Sequence, residues 1–212
     1  MMVAKSGGHR YGVGRPSLQY ERKSGKRKPR QTILIVCEGK ETEPRYFGAI
    51  KRQLRLSSVG IKSGKGGNCC KTVQTAVGYK HEEEYDHCWC VFDTEASSNA
   101  EDLQAAIELA NKHGIKLAIS NPSFEYWLLL HFTCTDRSFR DAQEVIGELR
   151  RYIPEYQKNG DVYAQVQQHT QTAITNAQSV LDLHCASAGG EFANPSTHVH
   201  KLVEELYKLK EM

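Results

Sequence analysis

The stretch Thr32-Ile33-Leu34-Ile35-Val36-Cys37-Glu38-Gly39-Lys40-Glu41-Thr42-Glu43-Pro44 decides how this chain is read. Its first half is a continuous apolar, β-branched run, without the polar alternation of a strand that keeps one face in water. Such a run reads as a strand covered on both faces, and therefore as part of a parallel sheet. The character changes at Glu38-Gly39. Thr42 is suited to cap a helix with Pro44 in its first turn, and Phe47, Ile50 and Leu54 then fall on one helical face.

Working outward, the alternation continues. A weaker strand is expected over 57–63, followed by the loop Gly64-Lys65-Gly66-Gly67 and a helix over about 70–82. The second strong strand is His87-Cys88-Trp89-Cys90-Val91-Phe92, ending at Asp93. Ser98 and Glu101 form a capping-box pattern that opens a helix to His113, and Gly114 terminates it. A strand over 115–119 precedes Asn121-Pro122, which begins a helix containing Phe124, Trp127, Leu128 and Phe132. Beyond Ser138 the pattern is helical, over about 138–151, 160–184 and 196–211. Strand–helix alternation at this spacing predicts an α/β fold with a parallel sheet flanked by helices. Three parts are expected: an N-terminal arm over 1–30, an α/β core over 31–137, and a helical extension over 138–212 packed on that core.

Charge separates the first of these from the rest. The whole chain of 212 residues has a formal charge of +3. Residues 1–30 carry nine cations, among them Arg22, Lys23, Lys26, Arg27, Lys28 and Arg30, against the single acid Glu21, a net of +8. The remaining 19 cations and 24 acids give −5. The first segment, rich in glycine and lacking apolar periodicity, reads as a flexible basic tail suited to nucleic-acid contact, with a merely solubilising leader as the alternative. At 39% hydrophobic and 25% charged, the chain is not disordered by composition. No apolar run approaches the ~20 residues of a bilayer span, and the start lacks the apolar middle of a secretory signal, so a cytoplasmic protein is expected. Seven cysteines, an odd number without an even ladder, suit reduced thiols. Cys88 and Cys90 lie two apart in a strand and share a face, which is not zinc-ligand spacing.

Two acidic groups fall just past the strongest strands: Glu38, with Glu41 and Glu43 behind it, and Asp93 with Glu95. In an open α/β sheet ligands bind at the carboxyl edge. Carboxylates from two strand ends there suit Mg²⁺ or Mn²⁺ at a phosphodiester, although acids in such places also cap helices and face water. An extended Asp93-Thr94-Glu95 aims both acids the same way. Lys40, on the turn beside Glu38, suits charge developing on a phosphoryl group, or is a solvated loop cation. The loop 62–67 lacks the Gly-x-x-x-x-Gly-Lys-Ser/Thr order, so the chain is not read as an ATPase. Gln165, Gln167, Gln168, His169, Gln171 and Thr172 form a polar patch, read as an exposed face with nucleic-acid or partner contact as the alternative.

The run from Ile33 through Gly39 followed by Lys40-Glu41-Thr42-Glu43-Pro44-x-Tyr46-Phe47 resembles the opening motif of the RloB family of bacterial phage-defence proteins. Three further segments extend the resemblance: Val91-Phe92-Asp93-Thr94-Glu95, the run Asn121-Pro122-Ser123-Phe124-Glu125-Tyr126-Trp127-Leu128-Leu129-Leu130-His131-Phe132, and Asn194-Pro195-Ser196-Thr197. It covers the chain from about residue 32 onward. That family looks like a variant of the Toprim fold, the metal-binding domain of topoisomerases, primases and OLD-type nucleases. The resemblance implies a nuclease of RNA (tRNA) or DNA in abortive antiviral defence, working with a separate ATPase of the same operon. It also implies Glu38 as the first-strand acid and Asp93 with Glu95 in place of an Asp-x-Asp pair, with Glu43 as a further acid. Glu in the second position departs from the pattern and leaves a catalytically inactive binding or sensor subunit as the alternative. Glu125 and His131, in the third motif, are candidates to support the site; Glu125 in a first turn also simply suits the helix dipole, and His131 reads first as a satisfied histidine at the helix end, with phosphate positioning as the alternative. Homo-oligomer formation is left open.

Overall fold

The computed structural model describes residues 31–64, 68–96, 100–187 and 190–211. Strand β1 (Ile33–Cys37) is sealed from solvent along its whole length. The two-residue period of a strand explains how: Ile33, Ile35 and Cys37 enter one hydrophobic cluster, while Leu34 and Val36 enter another on the opposite face. Strand β3 (His87–Asp93) repeats the division, with Trp89 and Val91 on the first side and Cys88, Cys90 and Phe92 on the second. With β2 (Val59–Ser63), β4 (Lys116–Asn121) and β5 (Ser196–Thr197), the sheet order is β2-β1-β3-β4-β5. The first four strands are parallel and β5 is antiparallel to β4. The fold is α/β, with a mostly parallel sheet flanked by helices, as the unbroken apolar runs predict.

Helices α2 (Cys69–Glu82) and α3 (Ala100–His113) cover the second cluster through Cys69, Val73, Ala76, Ala106 and Ala110. Helix α1 (Thr42–Leu54) covers the first, burying Tyr46, Phe47, Ile50 and Leu54. It is joined there by α4 (Phe124–Leu129), α5 (Ala142–Leu149), α6 (Tyr163–Val166), α7 (Thr170–Ala186) and α8 (Val199–Glu211). Residues beyond 138 therefore share the main core and add a strand to the sheet. No helix among the described residues is long and apolar enough to cross a membrane.

Several boundaries differ from the sequence reading. Thr42 is the first residue of α1 rather than its cap: Glu41 holds that position without a side-chain bond, and the Thr42 hydroxyl donates to the Lys158 carbonyl at 3.0 Å. Tertiary contact has claimed the group that local chemistry would have used. The helix after Asn121-Pro122 stops at Leu129, and Phe132 lies beyond it in a tighter turn, its amide donating to Leu129. The helix expected over 138–151 shrinks to α5, capped by Asp141, whose carboxylate accepts from the Glu144 amide at 2.9 Å. The segment expected as one helix over 160–184 divides into α6, a 3₁₀ turn (Gln167–His169) and α7. Ser196 and Thr197 are not helical but pair with β4, where the Ser120 and Thr197 hydroxyls lie 3.0 Å apart and His198 donates its amide to Ile119. Gly114 ends α3 at φ +59°, the left-handed conformation that suits glycine. Ser98 and its capping box lie outside the described residues, as do Lys65, Gly66, Gly67 and the whole 1–30 arm.

Candidate functional site

Parallel pairing aligns Cys37 with Val91, so β1 and β3 deliver their last residues to one edge of the sheet. The Glu38 amide still donates to the Val91 carbonyl at 2.9 Å, which fixes the backbone where the strand ends. The Glu38 carboxylate accepts from the Asp93 amide, tying the two strand-end acids together. Burial outweighs that bond, and with repulsion from Glu43 it lifts the Glu38 carboxyl to about 7.

Asp93 is more confined. Its carboxylate accepts from the Phe124 amide at the start of α4, yet Oδ1 is sealed from solvent with no hydrogen-bond partner among the described residues. Burial, followed by Glu43 and Glu125, pushes its pKa well above the usual carboxylate range. Glu43, 8% exposed, folds back onto its own amide and that of Gly39; its pKa too is raised by burial and by Glu125, against the pull of Lys158. Gly39 leaves room for this approach, because a Cβ there would meet the Glu43 carboxylate and force it to move. Glu125, 2% exposed in the first turn of α4, accepts from the Tyr156 hydroxyl at 2.9 Å and lies 3.5 Å from Lys158 Nζ.

These groups line a cleft of about 440 Å³. Among the described residues, Glu38, Glu41, Glu43, Asp93, Glu95 and Glu125 face only Lys40 and Lys158 across it, a formal −4. Glu41 and Glu95 are exposed, but the four buried or half-buried carboxylates, Glu38, Glu43, Asp93 and Glu125, require protons or cations to coexist. The donors are all oxygen, the chemistry a hard divalent ion takes with one or two carboxylates and water. Among the described residues, no three His, Cys, Asp or Glu side chains already stand as a ligand shell.

One residue singled out by sequence, Glu95, sits differently from expectation, while His131 is the helix-end histidine bonded to its own helix. The chain does not stay extended through Asp93-Thr94-Glu95, because a 3₁₀ turn (Thr94–Ala96) follows β3. Glu95 is thereby carried to the start of α5, where Oε1 accepts from the Ala142 amide at 2.5 Å. It lines the cleft while satisfying one of the free amides of a helix N-terminus. His131 lies away from the cleft lining, 1% exposed, its ring 4.8 Å from that of Trp127 and 6.4 Å from that of Tyr46. Its Nδ1 donates to the Trp127 carbonyl at 3.0 Å, the tautomer being fixed by that acceptor. Sequence reasoning missed Tyr156 and Lys158, which come from the segment between α5 and α6 and match no spacing rule. Cys88 and Cys90 are core residues, with thiols that burial keeps protonated.

Burial lowers the His131 pKa from 6.5 to about 4. The unfolded state then binds the proton first, so this stabilising contribution is complete above pH 6.5 and lost as pH falls toward 4. Urea unfolding between these limits is expected to show a slope shallower by up to about one proton in His131→Met than in the wild type. Equal slopes would remove His131 from the acid sensitivity.

The chain matches the family described as RloB-like protein over residues 33–206. It belongs to the RloB-like family. No curated protein sequence matches it significantly. The family match runs from the first residue of β1 into α8 of this RloB-like chain, and so takes in every residue of the cleft.

Proposed function

We propose that this RloB-like protein is a Toprim-like, Mg²⁺- or Mn²⁺-dependent nuclease that hydrolyses phosphodiester bonds of RNA, tRNA included, or DNA. In this reading it works in the cytoplasm in abortive antiviral defence, beside a separate ATPase of the same operon. The observation that carries the reading is the pairing of Glu38 and Asp93 at the ends of adjacent central strands, in a −4 cleft where one Asp93 oxygen has no hydrogen-bond donor among the described residues. Asp93 and Glu38 would hold the ion, with Glu43 beside them and Glu125 behind. When bound, it supplies Lewis-acid polarisation of a phosphodiester oxygen and eases deprotonation of water. Gly39 keeps the Glu43 carboxylate close to the turn, and Tyr156 orients Glu125. Lys40 and Lys158, on the cleft lining, are placed to meet phosphate oxygens.

The test incubates the full chain, with and without its ATPase neighbour, with tRNA and with single- and double-stranded DNA in Mg²⁺ or Mn²⁺. Cleavage is expected, and is expected to be lost in Glu38→Gln and Asp93→Asn. Cleavage unchanged in both variants overturns the assigned site. A second reading, a binding or sensor subunit that has lost catalysis, is favoured by one observation: Glu95 is engaged by the Ala142 amide at the start of α5. No cleavage of any substrate under any of these conditions would select it.

A further inference from the structure

Tyr152 is one of two large apolar side chains left substantially exposed among the described residues, at 43%. It is not loosely held. The turn that ends α5 fixes its backbone, with the Tyr152 and Ile153 amides both donating to the Leu149 carbonyl, at 3.0 and 2.9 Å. Its ring stacks on Phe132, with centroids 5.1 Å apart and planes 9° from parallel. Phe132 in turn packs against the main core. One face of the tyrosine is therefore supported by protein, and its exposure comes from the rest of the ring. His169, also exposed, brings a third ring to 5.8 Å from Phe132.

The surroundings indicate what such a ring is for. Arg150 and Arg151 precede it and both are exposed; Arg151 is paired with Glu148, and Arg150 has no ion pair among the described residues. The chain then runs through buried Ile153 and Tyr156 to Lys158 at the cleft. Five residues lie between Tyr152 and Lys158, so six chain steps hold their Cα atoms at most about 22 Å apart, the length of about six stacked nucleotides at ~3.4 Å each. A supported aromatic face beside a cation, a few nucleotides from a phosphodiester site, has the ingredients of a stacking platform for an unpaired base. A duplex keeps its base faces stacked internally and offers none to such a ring.

We propose that Tyr152, backed by Phe132, stacks on a base of a single-stranded nucleic acid whose backbone passes Arg150 and leads to the acidic cleft. The proposal rests on the nuclease reading above and adds the substrate class: an unpaired strand. The test uses the full chain in EDTA, to prevent turnover, with RNA and DNA 12-mers carrying 2-aminopurine, as single strands and as duplexes. Tyr152→Ala and Tyr152→Leu are expected to weaken single-strand binding about 5- to 150-fold and to abolish 2-aminopurine quenching. Tyr152→Trp is expected to retain both, and duplex binding is expected to stay unchanged in all three. Thermal melting checks that each variant folds. Wild-type single-strand affinity in Tyr152→Ala and Tyr152→Leu would overturn the platform while leaving the nuclease reading standing. Failure of the wild-type chain to bind any single strand would overturn the platform, and the nuclease reading is tested separately by cleavage in Mg²⁺ or Mn²⁺.

Discussion

Asp93→Asn is expected to lower cleavage about 10³-fold while raising the melting temperature of the metal-free protein. Both effects have one cause. The Asp93 carboxyl is held among Glu43, Glu125 and Glu38, with Oδ1 sealed and without a partner among the described residues, so without a cation, keeping it ionised or protonating it destabilises the fold. Asparagine keeps the shape and can still accept from the Phe124 amide, but it removes that charge. Relief of about 1–2 kcal/mol corresponds to ~2–8 °C for a chain of this size. The variant loses the anionic oxygen that a hard cation requires. Excess Mg²⁺ is therefore expected to raise the wild-type melting temperature and leave that of Asp93→Asn nearly unchanged. A variant that is both inactive and less stable without metal would show that Asp93 has a structural role instead.

Deletion of residues 1–30 is expected to collapse the salt dependence of nucleic-acid binding. The body that remains carries −5 and a cleft at −4, so attraction to a polyanion must come largely from the +8 segment. If about six of its nine cations meet phosphates, the full chain loses roughly 10³-fold in affinity between 50 and 200 mM salt. The truncated chain is expected to bind weakly at both concentrations and to change less than about tenfold. Fluorescence anisotropy across a salt series reads the two slopes directly. Equal slopes would take the arm out of substrate binding and leave it to another partner.

The fold was legible because β1 and β3 are unbroken apolar runs, and only a parallel sheet with helices on both faces buries such strands completely. Glu38 and Asp93 were legible for the same reason, as the first acids past those runs. Where sequence reasoning failed, tertiary contact had overridden a local rule. Thr42 bonds across the molecule to the Lys158 carbonyl instead of capping α1. Glu95 follows a 3₁₀ turn rather than an extended chain and is drawn to an α5 amide. Two residues are too few to show strand periodicity, so β5 read as the beginning of α8. Tyr156 and Lys158 reach Glu125 from a segment without regular structure, where no period of two or 3.6 applies.

The central claim is that the Glu38–Asp93 cleft holds a divalent cation, and Mn²⁺ binding tests it most directly. Titration of the full chain with Mn²⁺ at pH 8, followed by electron paramagnetic resonance of the free ion, is expected to show saturable binding. That binding should be lost in Asp93→Asn, greatly weakened in Glu38→Gln, and retained in His131→Met, whose side chain lies outside the cleft lining. No saturable binding in the wild type, or the same isotherm in Asp93→Asn, would contradict the account.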